Sequence, residues 1–210
     1  VKIICDSLDS HWFCHGLRAR KIQELQEHIV AAMAELEALD LGRGSEFVKG
    51  KVSVCDDLAW WYLDDRIGGI CNHSSRAHMN SDLHRYLFAS CFAEYYGRSP
   101  KILEFPTRLL PKHKNVRSGH FNDRFKVQLA MQPSTTITSH ISKDGHYYIH
   151  YDPAQCRSLT VREAARLQTF PDNYFFEGNR TEQYAQVGNA VPPLLAREIA
   201  SVVEKILKSI

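Results

Sequence analysis

The stretch of residues 157–196 constrains the fold most, because it contains strong start and stop signals for helices. Thr160 and Glu163 have the spacing of a capping box. In this motif the threonine hydroxyl accepts from an early helix amide, and the glutamate reaches back to the threonine amide. Apolar residues continue to Leu167, and residues 170–172 (Phe-Pro-Asp) end the pattern. The sequence therefore predicts a short helix with well-defined ends.

A second helix is predicted to begin at residues 192–193, which are both proline. Proline is favourable in the first turn of a helix, because the amide that it lacks would have no partner there. The following residues place apolar side chains on one helical face, at Leu195, Ile199, Val202 and Ile206. This pattern predicts a C-terminal helix with an apolar stripe.

Two blocks in this stretch resemble the last two motifs of the DNA (cytosine-5) methyltransferases. They read RSLTVREAARLQTFPD at residues 157–172 and QYAQVGNAVPPLLA at residues 183–196, in the family's usual order. In that family the first motif scaffolds target recognition, and the second packs on the catalytic domain beside S-adenosylmethionine. The resemblance implies that Asn189, Ala190 and Val191 contact this cofactor. The structural alternative is that Asn189 only forms the N-cap of the last helix.

The residues that perform this family's chemistry do not occur in the chain. None of the eight prolines precedes a cysteine, and the motifs Glu-Asn-Val and Phe-x-Gly-x-Gly are also absent. The resemblance therefore implies no catalytic residue here, and we expect the chain alone to be inactive. Its first residue is Val1 rather than methionine, which fits a fragment of a longer protein or a processed subunit.

Residues 98–126 carry a net charge of +6, which leaves −4 on the rest of the chain. Such a segment suggests contact with a polyanion, and the charges alone fit a solvated loop equally well. The resemblance favours double-stranded DNA, with basic side chains on phosphates and loop side chains on base edges. It also implies a recognition feature in which threonine precedes isoleucine, here at residues 136–137. The predicted DNA contacts are Lys112, Lys114, Arg117, Arg124, Thr136, Ile137 and Lys143.

A β-hairpin is predicted around Asp144 and Gly145. The runs STTITSHIS and HYYIHYD flank these residues, and an Asp-Gly pair between strand-like runs is a strong hairpin signal. With these two residues as the loop, Ile141 faces Tyr148 across the ladder.

Two helices are predicted before the basic segment. Residues 17–39 have apolar positions in a heptad pattern, and Gly42 follows as a stop signal. This helix could pair with a partner helix, but packing within its own domain is favoured. Asn80 or Ser81 offers an N-cap for a second helix that ends at Gly97. The apolar positions of this second helix include Leu83, Leu87, Cys91 and Tyr95.

The fold class predicted from these signals is α+β. Residues 1–71 are expected to form a helical N-terminal segment. Residues 72–182 are expected to form a small mixed domain with the hairpin, which the resemblance identifies as a target-recognition domain. The resemblance also implies that residues 183–210 return to an absent Rossmann-like catalytic domain, on which the C-terminal helix would pack.

The leading hypothesis for function is the DNA-recognition half of a DNA (cytosine-5) methyltransferase, which also completes the cofactor pocket. A catalytic half, on the same or a separate chain, is then its partner. The second hypothesis is a non-enzymatic DNA-binding module that kept the fold. The third is a zinc-dependent nuclease-like module built on Cys71, His73 and His78, although local spacing supplies no fourth ligand.

The cysteine content bears on the compartment. The six cysteines include no C-x-x-C pair and no disulfide-scaffold density, which indicates a reducing, cytosolic compartment. No apolar run approaches the roughly 18 residues that a membrane span requires. We therefore expect a cytoplasmic protein with no membrane partner, and the resemblance implies a prokaryotic or phage origin.

Overall fold

The computed structural model describes residues 12–13, 23–38, 42–50, 54, 56–111, 122–143 and 145–210. These residues form an α+β structure, as predicted, with small sheets. The helices are α1 (Gln23–Ala38), α2 (Ala59–Tyr62), α3 (Asn80–Tyr96), α4 (Val161–Leu167), α5 (Arg180–Asn189) and α6 (Pro193–Lys208). The strands are β1 (Gly44–Lys49), β2 (Gly69–Ser74), β3 (Val127–Gln128) and β4 (Ile149–His150). Short 3-10 turns cover Asp56–Leu58, Ile102–Glu104, Thr107–Leu109, Ser139–Ser142 and Gly145–Tyr147.

The chain divides into two compact units. The first unit contains the described residues of 1–42, 76–135 and 145–158, and the second contains those of 43–75, 136–144 and 159–210. This division differs from the predicted boundaries after residues 71 and 182. Residues 136–143 were predicted to lie in the recognition domain, but they belong to the second unit, which contains most of both methyltransferase-like blocks.

Helix α3 lies at the centre of the first unit. Its residues from Tyr86 to Ala93 are all buried, because α1 packs on one side of the helix and the β3–β4 pair packs on another. The predicted apolar position Tyr95 is instead 43% exposed. The helix ends at Gly97, as predicted, in a left-handed conformation with φ of 67°. It begins at Asn80 with Met79 as N-cap, so the predicted polar cap is wrong.

Helix α1 confirms the prediction of packing within its own domain. Leu25, Ile29, Ala32 and Leu36 are buried, and the helix packs on α3. Residues 17–22 and 39 of the predicted helix lie outside the described residues.

The predicted hairpin around residues 144–145 is wrong. Residues 133–138 have no regular structure, and Ile141 lies in a 3-10 turn of the second unit. Strand β4 pairs instead with β3, in parallel, with Ile149 beside Val127. The Asp-Gly signal failed because the strand partner comes from a distant part of the sequence.

The N-terminal segment is not wholly helical, which corrects the prediction for residues 1–71. Strands β1 and β2 form an antiparallel pair in which Phe47 lies opposite Cys71. Most of β1 is exposed, so neither of its faces shows the apolar alternation that identifies a strand in sequence.

The helices of the described part of the chain do not include one that could cross a lipid bilayer.

Candidate functional site

Two capping boxes fix where α4 and α5 begin, and these helices carry parts of the methyltransferase-like blocks. The Thr160 hydroxyl accepts from the Glu163 amide at 3.2 Å, and the Thr160 amide donates to the Glu163 carboxylate at 2.7 Å. This confirms the predicted box and the start of α4. A second box, which was not predicted, joins Asn179 and Glu182 at the start of α5. The two helices pack on each other in the second unit.

Gly188 allows α5 to approach the segment that contains residues 136–137. An ideal Cβ on Gly188 would lie 2.4 Å from the carbonyl carbon of Thr138 and 2.5 Å from the amide nitrogen of Ser139. Such distances are far below van der Waals contact, so no other residue fits here without displacing the backbone. Glycine was predicted to permit a close approach, and its neighbour here is this backbone segment.

Gln168 joins the same two segments from the end of α4. Its side-chain Nε2 donates to the Ile137 carbonyl at 3.1 Å and to the Val187 carbonyl at 3.3 Å. Gln168 is buried, so both bonds form away from competing water. Helix α5 and the residue 136–142 segment are therefore held together by packing and by shared hydrogen bonds.

The predicted cofactor residues occupy the end of α5 and the turn that follows. Asn189 is the last residue of the helix, and its side chain is exposed. That side chain makes no hydrogen bond with any described residue, which leaves its amide donor and acceptor available to a ligand. Val191 is 63% exposed, and Ala190 is half-buried. This short polar and apolar turn fits one part of a cofactor site.

Asn189 is not an N-cap, so the predicted alternative of a cap on the last helix is wrong. It lies at the C-terminal end of α5, and α6 begins only at Pro193 with Pro192 as its N-cap. The start of α6 at the two prolines is confirmed.

Helix α6 exposes the apolar stripe that its sequence predicted. No residue of α6 is buried. Together with Val191, its side chains line a shallow apolar groove of about 560 Å³. The exposed fractions are 53% for Leu195, 53% for Ile199, 57% for Val202 and 55% for Ile206.

Arg162 is a buried residue whose role was not predicted. Its guanidinium donates to the carbonyls of Cys71 and Pro171 at 2.9 Å each, and also to the carbonyl of Tyr174. It also lies over the Phe176 ring. Burial lowers the pKa of this guanidinium, and the nearby Asp172 carboxylate opposes the shift. Arg162 thus ties α4 to β2 and to the loop after α4.

The predicted DNA contacts fall in different parts of the chain. Lys112, Lys114 and Arg117 lie outside the described residues. Arg124 is half-buried in the first unit, whereas Lys143 is exposed in the second unit.

The Thr136–Ile137 feature needs a correction. Thr136 is exposed, but Ile137 is only 4% exposed. The Ile137 side chain packs inside the second unit, so only Thr136 presents a side chain at this feature.

The described part of the chain gives no support to the zinc hypothesis. Among the described residues no group of three His, Cys, Asp or Glu side chains is arranged to hold a metal ion. The His73 ring is 3.0 Å from the Thr160 hydroxyl, and the His78 ring accepts from the Ser158 amide at 3.2 Å. These contacts give both rings a structural role.

Comparison with known proteins agrees with the resemblance of the two blocks. Residues 72–205, more than half of the chain, match the family of C-5 cytosine-specific DNA methylases. The chain belongs to this methylase family. It is 52% identical over 139 residues to the type II methyltransferase M.Bpa9945I of Bacillus paralicheniformis. It is 29% identical over 181 residues to M.DdeI of Desulfomicrobium norvegicum, and 44% identical over 80 residues to the DNA (cytosine-5-)-methyltransferase M.ApeKI of Aeropyrum pernix.

The matches to this chain span less than half the length of these relatives. The matches cover 66%, 80% and 38% of this chain, but 30%, 40% and 17% of the respective relatives.

Sequence reasoning missed three residues that organise this site, Arg162, Gln168 and Asn179. Asn179 could have been found, because asparagine followed by glutamate three residues later has the spacing of a capping box. Arg162 and Gln168 bond carbonyls from distant parts of the chain, and no local pattern reports such partners.

Proposed function

We propose that this chain is the DNA-recognition part of a DNA (cytosine-5) methyltransferase and that it also completes the cofactor pocket. One observation carries the proposal. The segment that holds Thr136 and the helix that ends at Asn189 pack directly on each other, at Gly188, within the second unit. Thr136, which is suited to DNA contact, and Asn189, which is suited to cofactor contact, thus lie on two segments that pack together.

The proposed reaction moves a methyl group to the fifth ring carbon of a cytosine that is flipped out of the duplex. S-adenosylmethionine supplies that methyl group when bound. A thiolate must also add to the neighbouring ring carbon, because cytosine alone is a poor carbon nucleophile. After methyl transfer, the proton of the fifth carbon is removed and the thiolate is eliminated, which restores the ring double bond. This chain has no Pro-Cys sequence, so we assign the thiolate to a catalytic partner.

We assign the exposed stripe of α6 to contact with that catalytic half. An amphipathic helix normally buries its apolar face, yet this stripe is more than half exposed at each of its four positions. The matches to M.Bpa9945I and M.DdeI cover 30% and 40% of those relatives, so most of their length has no counterpart in this chain. A Rossmann-like catalytic domain from the missing part is the occupant that we propose for this face.

The basic segment of residues 98–126 is assigned to DNA phosphates. Its charge of +6 would attract duplex DNA irrespective of sequence. Thr136 and Lys143 are exposed in the second unit and would contribute further contacts. Such an enzyme would act in the cytoplasm, where prokaryotic DNA is accessible.

Complementation tests this proposal. The part of M.Bpa9945I that this chain does not match would be expressed separately and mixed with the chain. We expect transfer of labelled methyl groups to DNA by the mixture, and by neither component alone. Transfer by the chain alone would contradict the proposal. DNA binding without any transfer by the mixture would favour the non-enzymatic DNA-binding module.

A pair of matched variants tests the docking face. Ile199→Asp places one negative charge on the apolar stripe of α6, and Ser201→Asp places one elsewhere on the same helix. We expect the first variant to abolish complementation and the second to retain it. Equal activity of the two variants would place the catalytic half on another surface.

A further inference from the structure

Thr169 adopts a backbone conformation that threonine rarely adopts. Its φ is 61°, in the left-handed region, and among the described residues only Asn72 and Cys156 share a positive φ without being glycine. A β-branched side chain is strongly disfavoured there, so the surrounding structure must hold the residue in place. Backbone strain of this kind is often found where a residue has a specific structural or functional role.

Three hydrogen bonds hold Thr169 in this conformation. Its amide donates to the Arg166 carbonyl at 2.8 Å, and its carbonyl accepts from the Trp61 indole at 2.7 Å. Its hydroxyl accepts from the Leu194 amide at 3.0 Å. The first two bonds fix the backbone, and the third uses the side chain.

The bond to Leu194 caps helix α6 from outside the helix. Pro192 and Pro193 have no amide hydrogen, so Leu194 carries the first amide donor of the helix. Pro192 is the N-cap residue and offers no side-chain acceptor. The Thr169 hydroxyl therefore fills the place of the N-cap side chain that α6 lacks.

Arg197 makes a second contact in the first turns of α6. The Arg197 guanidinium lies 4.8 Å from the centre of the Trp60 ring and 5.9 Å from that of Trp61. Trp61 thus touches both Thr169 and Arg197. Both contacts lie in the first two turns of α6, and no residue of the helix is buried.

We propose that Thr169 is a positioning residue that sets the direction of α6 and thereby presents its apolar stripe to the catalytic half. This inference rests on the proposed function, in which the catalytic half docks on the apolar stripe. The hydrogen bond between Thr169 and Leu194 joins the two methyltransferase-like blocks. The threonine of the first block caps the helix of the second block.

Two substitutions isolate the hydroxyl. Thr169→Val keeps the size and the β-branch, and therefore the backbone strain, but loses the acceptor for the Leu194 amide. Thr169→Ser keeps the acceptor. In the full chain we expect hydrogen exchange at the Leu194 amide to be about fivefold faster in the valine variant, as loss of a cap worth about 1 kcal/mol implies. We expect the serine variant to stay within about twofold of the parent protein.

Association with the catalytic part of M.Bpa9945I gives the second readout. We expect the valine variant to bind about fivefold more weakly, and the serine variant to restore the affinity. Unchanged hydrogen exchange at the Leu194 amide in the valine variant would show that Thr169 does not cap α6. Faster exchange with unchanged association would overturn the positioning role.

The two proposals fail in distinguishable ways. If the parent chain does not associate with the catalytic part, the proposed function and the docking role of Thr169 both fall. Amide exchange in the isolated chain still decides whether Thr169 caps α6.

Discussion

Gly188 lies against the backbone of Thr138, with no room between them for a side chain. The position that a Cβ would occupy is 2.4 Å from the Thr138 carbonyl carbon. This contact joins the helix that carries Asn189 to the segment that carries Thr136. It gives the glycine of the Gly-Asn-Ala-Val turn a packing role that is independent of any ligand.

The first prediction is that Gly188→Ala lowers stability, against the usual effect in helices. Alanine in place of a helical glycine normally stabilises by about 1 kcal/mol. Here the added methyl group would displace the backbone at residues 138–139, so we expect a net loss of about 1–3 kcal/mol. Urea unfolding of the chain measures the change.

Thr181→Ala, on the exposed side of α5, is the control for the Gly188 substitution. It improves helix propensity without a nearby obstacle and should leave stability equal or slightly higher. A Gly188→Ala variant more stable than the parent would show that the close approach is absent in solution.

The second prediction concerns the buried Arg162. Replacing it with lysine removes the planar group that bonds three carbonyls at once, and we expect a loss of about 3 kcal/mol. Arg166→Lys is the comparison, because Arg166 makes two hydrogen bonds to a single partner, the Asp172 carboxylate, at 2.6 and 2.8 Å, and lysine keeps the charge and one of these bonds. We expect a smaller loss, of about 1–2 kcal/mol, for Arg166→Lys. Similar losses in denaturant unfolding would argue against Arg162 as the link between α4 and β2.

Some of this structure was predictable because its causes are local. The Thr160 capping box, the Pro192-Pro193 start and the Gly97 stop each depend on residues within one helical turn. The stripe on α6 follows from the same periodicity. These signals identified the helices of the methyltransferase-like blocks and the α+β class.

The errors share a different physical origin. Strand β4 was paired with the wrong segment because its partner β3 is more than twenty residues earlier in the chain. Ile137 was assigned to DNA, but its side chain fills the second unit, whose packing the sequence does not report. The strained Thr169 looks ordinary in sequence, since its conformation depends on Trp61 and Leu194.

The third prediction is a pH dependence at Glu104. Arg98 donates to both carboxylate oxygens, at 2.6 and 2.8 Å, and this contact lowers the pKa of Glu104 below its usual value. A lowered pKa in the folded state stabilises the protein above the unfolded-state pKa, near 4.5. That contribution is lost as the pH falls through the folded-state pKa.

Glu104→Gln should therefore cost about 0.5 kcal/mol at pH 7, a small value because the pair is partly exposed. The difference from the parent protein should vanish as the pH falls well below 4.5. Unfolding at several pH values measures it, and Glu35→Gln on the exposed side of α1 should leave stability unchanged. A difference that persists at low pH would assign the effect to packing.

The fourth prediction concerns the basic segment. If Lys112, Lys114 and Arg117 contact phosphates, replacing all three with alanine should weaken binding to every duplex without changing sequence preference. The slope of log K against log salt should become shallower by about 0.9 for each lost contact. Replacing Lys205 and Lys208 on α6 should leave the slope unchanged. An unaltered slope in the triple variant would place the segment away from DNA.

The last prediction separates a cofactor contact from a helix cap, using an asparagine at each end of α5. Asn179 is the N-cap, and its side chain accepts from the amides of Thr181 and Glu182 at 3.0 and 3.1 Å. Asn189 ends the helix and has no such bonds. Asn179→Ala should therefore cost about 1 kcal/mol of stability and leave S-adenosylmethionine affinity unchanged in the complemented enzyme.

Asn189→Ala should have the opposite effects. Loss of one or two cofactor hydrogen bonds, each worth about 0.5–1.5 kcal/mol, should weaken S-adenosylmethionine binding between a few-fold and a hundredfold. The melting temperature and the DNA site preference should stay the same, because the side chain supports neither the helix nor the DNA-binding segment. Calorimetric titration and thermal melting of both variants give the comparison. Lower stability with normal cofactor binding in Asn189→Ala would assign this asparagine a purely structural role.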